Sequence, residues 1–391
     1  MRWCALCVLA GCSFSPGASN GGDGGTNTGD DGSAPRDGDA GNALPGPLHL
    51  ADGDGAAGDS PLTLSGAVTI NTTDLSIATV TGPTFEMKHQ LTGGEVAVLR
   101  VSSLVVDNTA NVRVIGSRPL IVIASGTITI NGAIDAGGHL TEAGAGGLAS
   151  AAGEGSGSRG AHDGDYSDTG GGGGGFGDVA GAGGAISGCT NQLPGGRAGA
   201  MTGDPTITTL IGGSGGGAGE SSACTDNLGG AGGGALQFTS STSIHITGVI
   251  NVGGGGGKGG TDCGPSDGNS GAGGGAGGAI VLQAPQILNE GVLAANGGGG
   301  GGSGTGAGGS GGNGDNGKPS TAVANGGPGS GQSGIAGGKG GAKDVAAAAG
   351  TTNTCDNNAG GGGGSVGRIA VSQGYMEQGM TSPSPSVTLP I

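Results

Sequence analysis

Residues 120–138 read LIVIASGTITINGAIDAGG, and this stretch decides the fold. It holds two short apolar runs, LIVI and ITI, followed by Gly132, Ile134, Ala136 and a glycine pair. Leu120 and Val122, Ile128 and Ile130, and Ile134 and Ala136 alternate with their neighbours. Alternation with a period of two is the strand signal, because successive side chains leave opposite faces of the backbone.

The same design returns downstream. ALQFTSSTSIHITGVINVGG (residues 235–254) aligns to it without a gap, placing Leu236 on Leu120, Phe238 on Val122, Ile244 on Ile128 and Ile250 on Ile134. AIVLQAPQILNEGVLAANGG (residues 279–298) aligns with one residue removed, and Arg368-Ile369-Ala370-Val371-Ser372 repeats the first strand alone. Upstream, LTLSGAVTIN and EVAVLRVSSLVVDNTANVRVIG carry related patterns. One copy cannot bury its apolar face alone, and stacking the copies does. The sequence therefore predicts an all-β chain: a right-handed parallel β-helix, a short solenoid with long glycine-rich insertions on one side. An antiparallel β-sandwich is the alternative. Stacking would form the ladders Leu120–Leu236–Ile280–Ile369 and Ile134–Ile250–Leu293.

Between the copies lie tracts that account for most of the 106 glycines in the 391 residues. They read as insertions at about 139–233, 255–278 and 299–364, each leaving just after the third strand of a copy. Glycine-rich segments also bundle as extended polyproline-II-type helices, as in collagen. GAGGSGG (residues 306–312) fits that idea, although the spacing of its pattern is irregular.

Composition restricts function. Aromatic residues are 2% of the chain, so the core must be aliphatic and thin. The formal net charge is −16, which excludes a nucleic-acid partner, since phosphates require a basic surface. There is no apolar run long enough for a membrane span.

The N-terminal residues carry an address. Leu9-Ala10-Gly11-Cys12 resembles the lipobox of secreted bacterial lipoproteins, with residues 1–11 as signal peptide and Cys12 as the lipidated residue. Residues 12–47 are poor in large apolar side chains and read as a disordered Gly/Asp/Ser tether. Residues 48–391 form the folded domain. Ser13 after the cysteine resembles the sorting signal of outer-membrane lipoproteins. The expected location is the cell envelope, periplasmic or surface-exposed, with the membrane engaged through Cys12.

Chemical motifs are few. Cys4 and Cys7 belong to the signal. Cys189, Cys224, Cys263 and Cys355 all lie in the glycine-rich tracts, and an even number in a secreted chain predicts two disulfides. Of three possible pairings, Cys189–Cys224 and Cys263–Cys355 are preferred; each would remove roughly 4 kcal/mol of unfolded-chain entropy. Their spacing does not match a zinc site. Residues 312–319 (GNGDNGKP) fail as a P-loop because Pro319 stands where Ser or Thr must be. The GxSxG matches at 212–216 and 308–312 follow from glycine content alone. Asp163, Asp165 and Asp168 could hold Ca²⁺, but a solvated turn accounts for them and no metal or other cofactor is expected. His245 should face solvent. Arg100, Arg113, Arg118 and Arg368 appear isolated on the strands, so no catalytic residues are expected.

As a whole the pattern resembles glycine-rich bacterial surface lipoproteins with β-helix-like repeats, a resemblance that implies no activity. The expectation is a non-catalytic, lipid-anchored envelope or surface protein that binds a glycan or extracellular matrix through stacked glycine-rich loops. The alternative is a polysaccharide-binding or polysaccharide-cleaving β-helix protein.

Overall fold

In the computed structural model, residues Leu44–Ile391 form one compact unit. The structure describes residues 47–389, except 52, 79, 163–166, 189–191, 221–224, 226, 265–267, 306–308, 332–333 and 355–356. The expected signal peptide, Cys12 and most of the tether lie outside the described residues, as do Cys189, Cys224, Cys355, Asp163 and Asp165.

The first pass of the chain gives β1 (Leu62–Leu64), β2 (Ala67–Asn71), β3 (Ser76–Ile77) and β4 (Thr84–His89). The next two give β5 (Glu95–Val101), β6 (Leu104–Val106) and β7 (Asn111–Ile115), then β8 (Leu120–Ala124), β9 (Ile128–Ile130) and β10 (Ala133–Asp135). The later repeats supply β11 (Ala235–Ser240), β12 (Ser243–Ile246) and β13 (Val249–Asn251), then β14 (Ala279–Gln283), β15 (Gln286–Asn289) and β16 (Val292–Ala294). The chain closes with β17 (Arg368–Ser372), β18 (Tyr375–Glu377), β19 (Met380–Ser382) and β20 (Ser386–Leu389).

These strands build three sheets, ordered β1-β6-β9-β12-β15-β18, β19-β16-β13-β10-β7-β2-β3 and β20-β17-β14-β11-β8-β5-β4. Pairing is parallel throughout except for the edge pairs β2–β3 and β4–β5. The predicted ladders are present: Leu120 opposes Leu236, which opposes Ile280, which opposes Ile369. Ile134, Ile250 and Leu293 stack likewise. Their side chains are buried, each contributing about 1.5–3 kcal/mol.

The expected right-handed parallel β-helix, a short solenoid with glycine-rich insertions on one side, is corrected by this arrangement. The chain forms three mostly parallel multi-strand sheets, with antiparallel strands at two edges, no closed barrel and no helix among the described residues. The antiparallel sandwich is excluded by the parallel registers. The physical reason lies in the third sheet and in the glycine tracts. Its strands β8, β11 and β14 are buried at every position. One face joins the main aliphatic core. The other packs a second core of Val96, Val98, Ile121, Ile123, Val281 and Ala370 under Leu50, Phe176, Ile207 and Leu210. Parallel sheets buried on both faces are usually covered by helices. Here glycine segments provide that cover.

Those segments are not loops. Gly271, Gly274 and Gly277 donate N–H to the carbonyls of Ala359, Gly362 and Ser365. Ala359, Gly362 and Ser365 donate in turn to Asp168, Gly171 and Gly174, and Gly171 and Gly174 donate back to Gly271 and Gly274. Each step advances three residues, the period of a polyproline-II-type helix. Residues 170–175 sit at the centre. Cβ atoms built on Gly170 and Gly173 would lie 1.9 and 2.0 Å from the carbonyl oxygens of Gly360 and Gly363. Gly171 and Gly174 point at 217 and 214, and Gly172 and Gly175 at 197 and 200. Three neighbours, one per residue of the turn, leave no room for any side chain. At the margins, side chains replace missing neighbours: Asn316 Oδ1 accepts from Leu140 N and Gly256 N, and Asn313 Oδ1 from Gly259 N.

Candidate functional site

Two adjoining cavities open where the third sheet meets the glycine body. The larger, about 480 Å³, is walled by Gln90, Glu95, Arg118, Leu148, Glu154 and Ile211. The smaller, about 340 Å³, shares Glu154 and Ile211 and adds Phe176, Asp204, Thr208 and Thr209. Together they form a groove within the size range of ligand sites.

Each wall has a local cause. Gln90 directly follows β4 and clamps Leu210 through both backbone groups, with Nε2 donating to Leu210 O at 3.1 Å and Oε1 accepting from Leu210 N at 2.8 Å. Arg118 precedes β8; its Nε donates to Glu95 Oε2 at 2.9 Å and its Nη1 to the carbonyls of Thr72 and Thr73. Gly146 holds φ +72°, and a Cβ there would meet the Pro119 ring. Asp204 caps a turn by accepting from the hydroxyls and amides of Thr206 and Thr208, which pull its pKa down to about 2. In that turn Ile207 adopts φ 51°, an outlier for a β-branched residue. The strain is held because its side chain is buried and its carbonyl receives His49 Nε2 at 2.5 Å.

A third cavity, about 390 Å³, lies against β10 and β13. Asp135 organises it. Its Oδ1 accepts from Gly137 N and from Asn251 Nδ2, both at 2.9 Å. Its Oδ2 accepts from Arg113 Nη1 at 3.1 Å and His139 Nε2 at 2.9 Å. Burial opposes ionisation of Asp135, but His139, the Gly137 N–H and the Arg113 charge hold its pKa below the usual carboxylate value.

The structure revises several residue assignments. Three of the four arginines expected to be isolated are paired: Arg100 with Glu86, Arg113 with Asp135 and Arg118 with Glu95. Arg368 instead reaches the carbonyls of Phe176, Thr202 and Gly203 and lies over the Phe176 ring at 5.7 Å. Asp168 is not in a solvated turn; it is fully buried and its Oδ1 meets His162 Nδ1 at 2.7 Å. Among the described residues no cluster of three or more His, Cys, Asp or Glu side chains could hold a metal ion. Cys263 is disulfide-bonded. His245 is half exposed beside Glu290, as expected for an outward strand position.

Sequence reasoning missed His49 and the groove. His49 is buried, with Nδ1 2.5 Å from Gln237 Oε1. The groove joins residues more than a hundred positions apart, and no local pattern marks it. Among the described residues no helix is long and apolar enough to cross a membrane. Comparison with protein-family models, curated proteins and solved structures finds no match to this chain.

Proposed function

We propose that this is a non-catalytic, lipid-anchored envelope or surface protein that holds a glycan or matrix polymer against a stiff glycine body. The observation that carries the reading is the three-residue hydrogen-bond lattice of residues 168–174, 271–277 and 359–365. Such a body has little conformational freedom to lose on contact, so binding against it costs little ordering entropy. The groove at its base offers carboxylates, hydroxyls and an apolar floor. Cys12 would anchor the chain, and the tether expected from the composition of the 35 residues 13–47 would let it stand roughly 30–35 Å from the bilayer.

Expressed in a bacterial host, the intact chain should fractionate with membranes and Cys12→Ala should be soluble. The Cys12→Ala protein should still bind polysaccharide-coated beads. Membrane retention of Cys12→Ala, or absence of polymer binding by folded protein, would refute the reading. Polysaccharide cleavage is the second reading, favoured by one observation: Glu95 and Glu154 line the same cavity. Release of reducing ends, abolished by Glu154→Gln, would establish it in place of the first.

A further inference from the structure

We propose that the cavity over Asp135 is a subsite for one neutral, hydroxyl-rich sugar residue of the bound polymer. The proposal rests on the glycan-binding reading above but concerns a different surface from the groove.

Three polar groups converge there. Asp135 Oδ2 can only accept, so His139 Nε2 carries the ring proton facing it. The other ring nitrogen, Nδ1, has no hydrogen-bond partner among the described residues and is the imidazole's remaining polar group at the cavity wall. Asp135 itself is held by Arg113, Asn251 and Gly137, so the imidazole is seated on an anchored partner. Asn316 uses Oδ1 for two lattice N–H groups, which assigns its amide orientation without ambiguity. Among the described residues no acceptor engages Asn316 Nδ2, which leaves it as a donor at the wall. Lys318 supplies a third group, an ammonium 3.2 Å from Asp315 Oδ2.

One imidazole nitrogen, one amide donor and one ammonium stand around the apolar surfaces of Val249 and Pro319. This matches a pyranose, whose ring carbons are apolar and whose hydroxyls both donate and accept. The charges select a neutral sugar. Arg113 and Lys318 are balanced by Asp135 and Asp315, and the chain as a whole carries −16. A uronate would meet no surplus cation.

The test is titration calorimetry of the full folded domain with trisaccharides of glucose, galactose and mannose, and with galacturonate trisaccharide as the charged comparator. At least one neutral trisaccharide should bind. Lys318→Met and His139→Phe should each weaken it about tenfold, the value of a lost hydrogen bond involving a charged or anchored group. Both variants should melt like the parent, because Asp135 keeps its other three donors. The proposal is overturned if no neutral trisaccharide binds, if galacturonate binds more tightly, or if both variants bind as the parent does. Polymer binding that persists unchanged in both variants would leave the surface-binding reading standing and remove this subsite. Loss of polymer and trisaccharide binding together in the parent would remove both.

Discussion

Replacing Gly273 by alanine separates a packed glycine lattice from flexible insertions by the sign of the effect. In a flexible loop, Gly→Ala stabilises by about 0.4–1 kcal/mol, because it restricts the unfolded chain. In the lattice, the new Cβ would lie 1.9 Å from Gly172 O and 2.4 Å from Gly172 C. Ordinary contact needs about 3.4 Å, so the segments must part by about 1.5 Å. Gly172 O accepts from Gly217 N at 2.8 Å, and Gly273 N donates to Gly217 O at 2.9 Å. Parting them strands at least two buried backbone groups, at about 1–3 kcal/mol each, and adds overpacking strain of about 1–3 kcal/mol. The sum is roughly 3–9 kcal/mol. For a unit of this length, with unfolding entropy of about 2.1 cal/mol/K per residue, that lowers the melting temperature by roughly 4–12 °C. Calorimetry should show this for Gly273→Ala. Gly94→Ala serves as the control, since nothing lies within 4 Å of its Cβ position, and it should melt within about 1 °C of the parent. A Gly273→Ala protein that melts at or above the parent would refute the lattice.

Two further perturbations test how the N-terminal end of the fold is fastened. Burial lowers the pKa of His49 against the partial offset of its contacts to Gln237 and Ile207. The unfolded chain therefore takes up the proton first, so stability is full above the usual histidine value of about 6.5 and falls as pH drops through it. His49→Gln should flatten the melting-temperature profile between about pH 7 and 5; an unchanged profile would show that His49 is not the group titrating. Arg100, 8% exposed, donates to Glu86 Oε1 at 2.7 Å and to the carbonyls of Ala56 and Asp54. Arg100→Met removes the donor from the half-buried Asp54 carbonyl, the exposed Ala56 carbonyl and Glu86, and should cost about 1–3 kcal/mol in denaturant unfolding; a loss below about 0.5 kcal/mol would show that water replaces it freely.

The ladders were legible because alternation and self-similarity are local properties. Leu236 could be placed on Leu120 without knowing anything else about the chain, and the register agrees. The second core was legible in principle. Residues 120–124 read LIVIA with no polar break, whereas residues 128–130 read ITI. A continuous run marks a strand buried on both faces. Taking only every second residue as core discarded that difference, and with it the need for something to cover Ile121 and Ile123. The groove and the Asp135 cavity were not legible, because they depend on which glycine segment lies beside which strand. Asn316 and His139 are 177 positions apart, and their meeting is set by backbone contacts that leave no side-chain signature.

The irregular glycine spacing, which argued against ordered bundling, follows from the lattice itself. A collagen-like strand has one crowded side and so needs glycine at every third position. A segment surrounded on all three sides needs glycine at every position, as residues 170–175 show. A marginal segment needs it only where it faces inward. Ala182 and Ala185 are tolerated on such a segment, while Cβ atoms at Gly181, Gly183 and Gly184 would meet carbonyl oxygens at 1.9–2.2 Å. The spacing thus records how many neighbours each segment has. Runs of uninterrupted glycine mark segments hemmed in on every side, and Ala, Ser or Asn stand where a segment has a side free of close backbone, whether buried, as at Ala272, Ala276 and Ala359, or at the rim. Functional groups must therefore come from the rim and from the strands it covers, which is where Glu154, Asn316 and Lys318 are found.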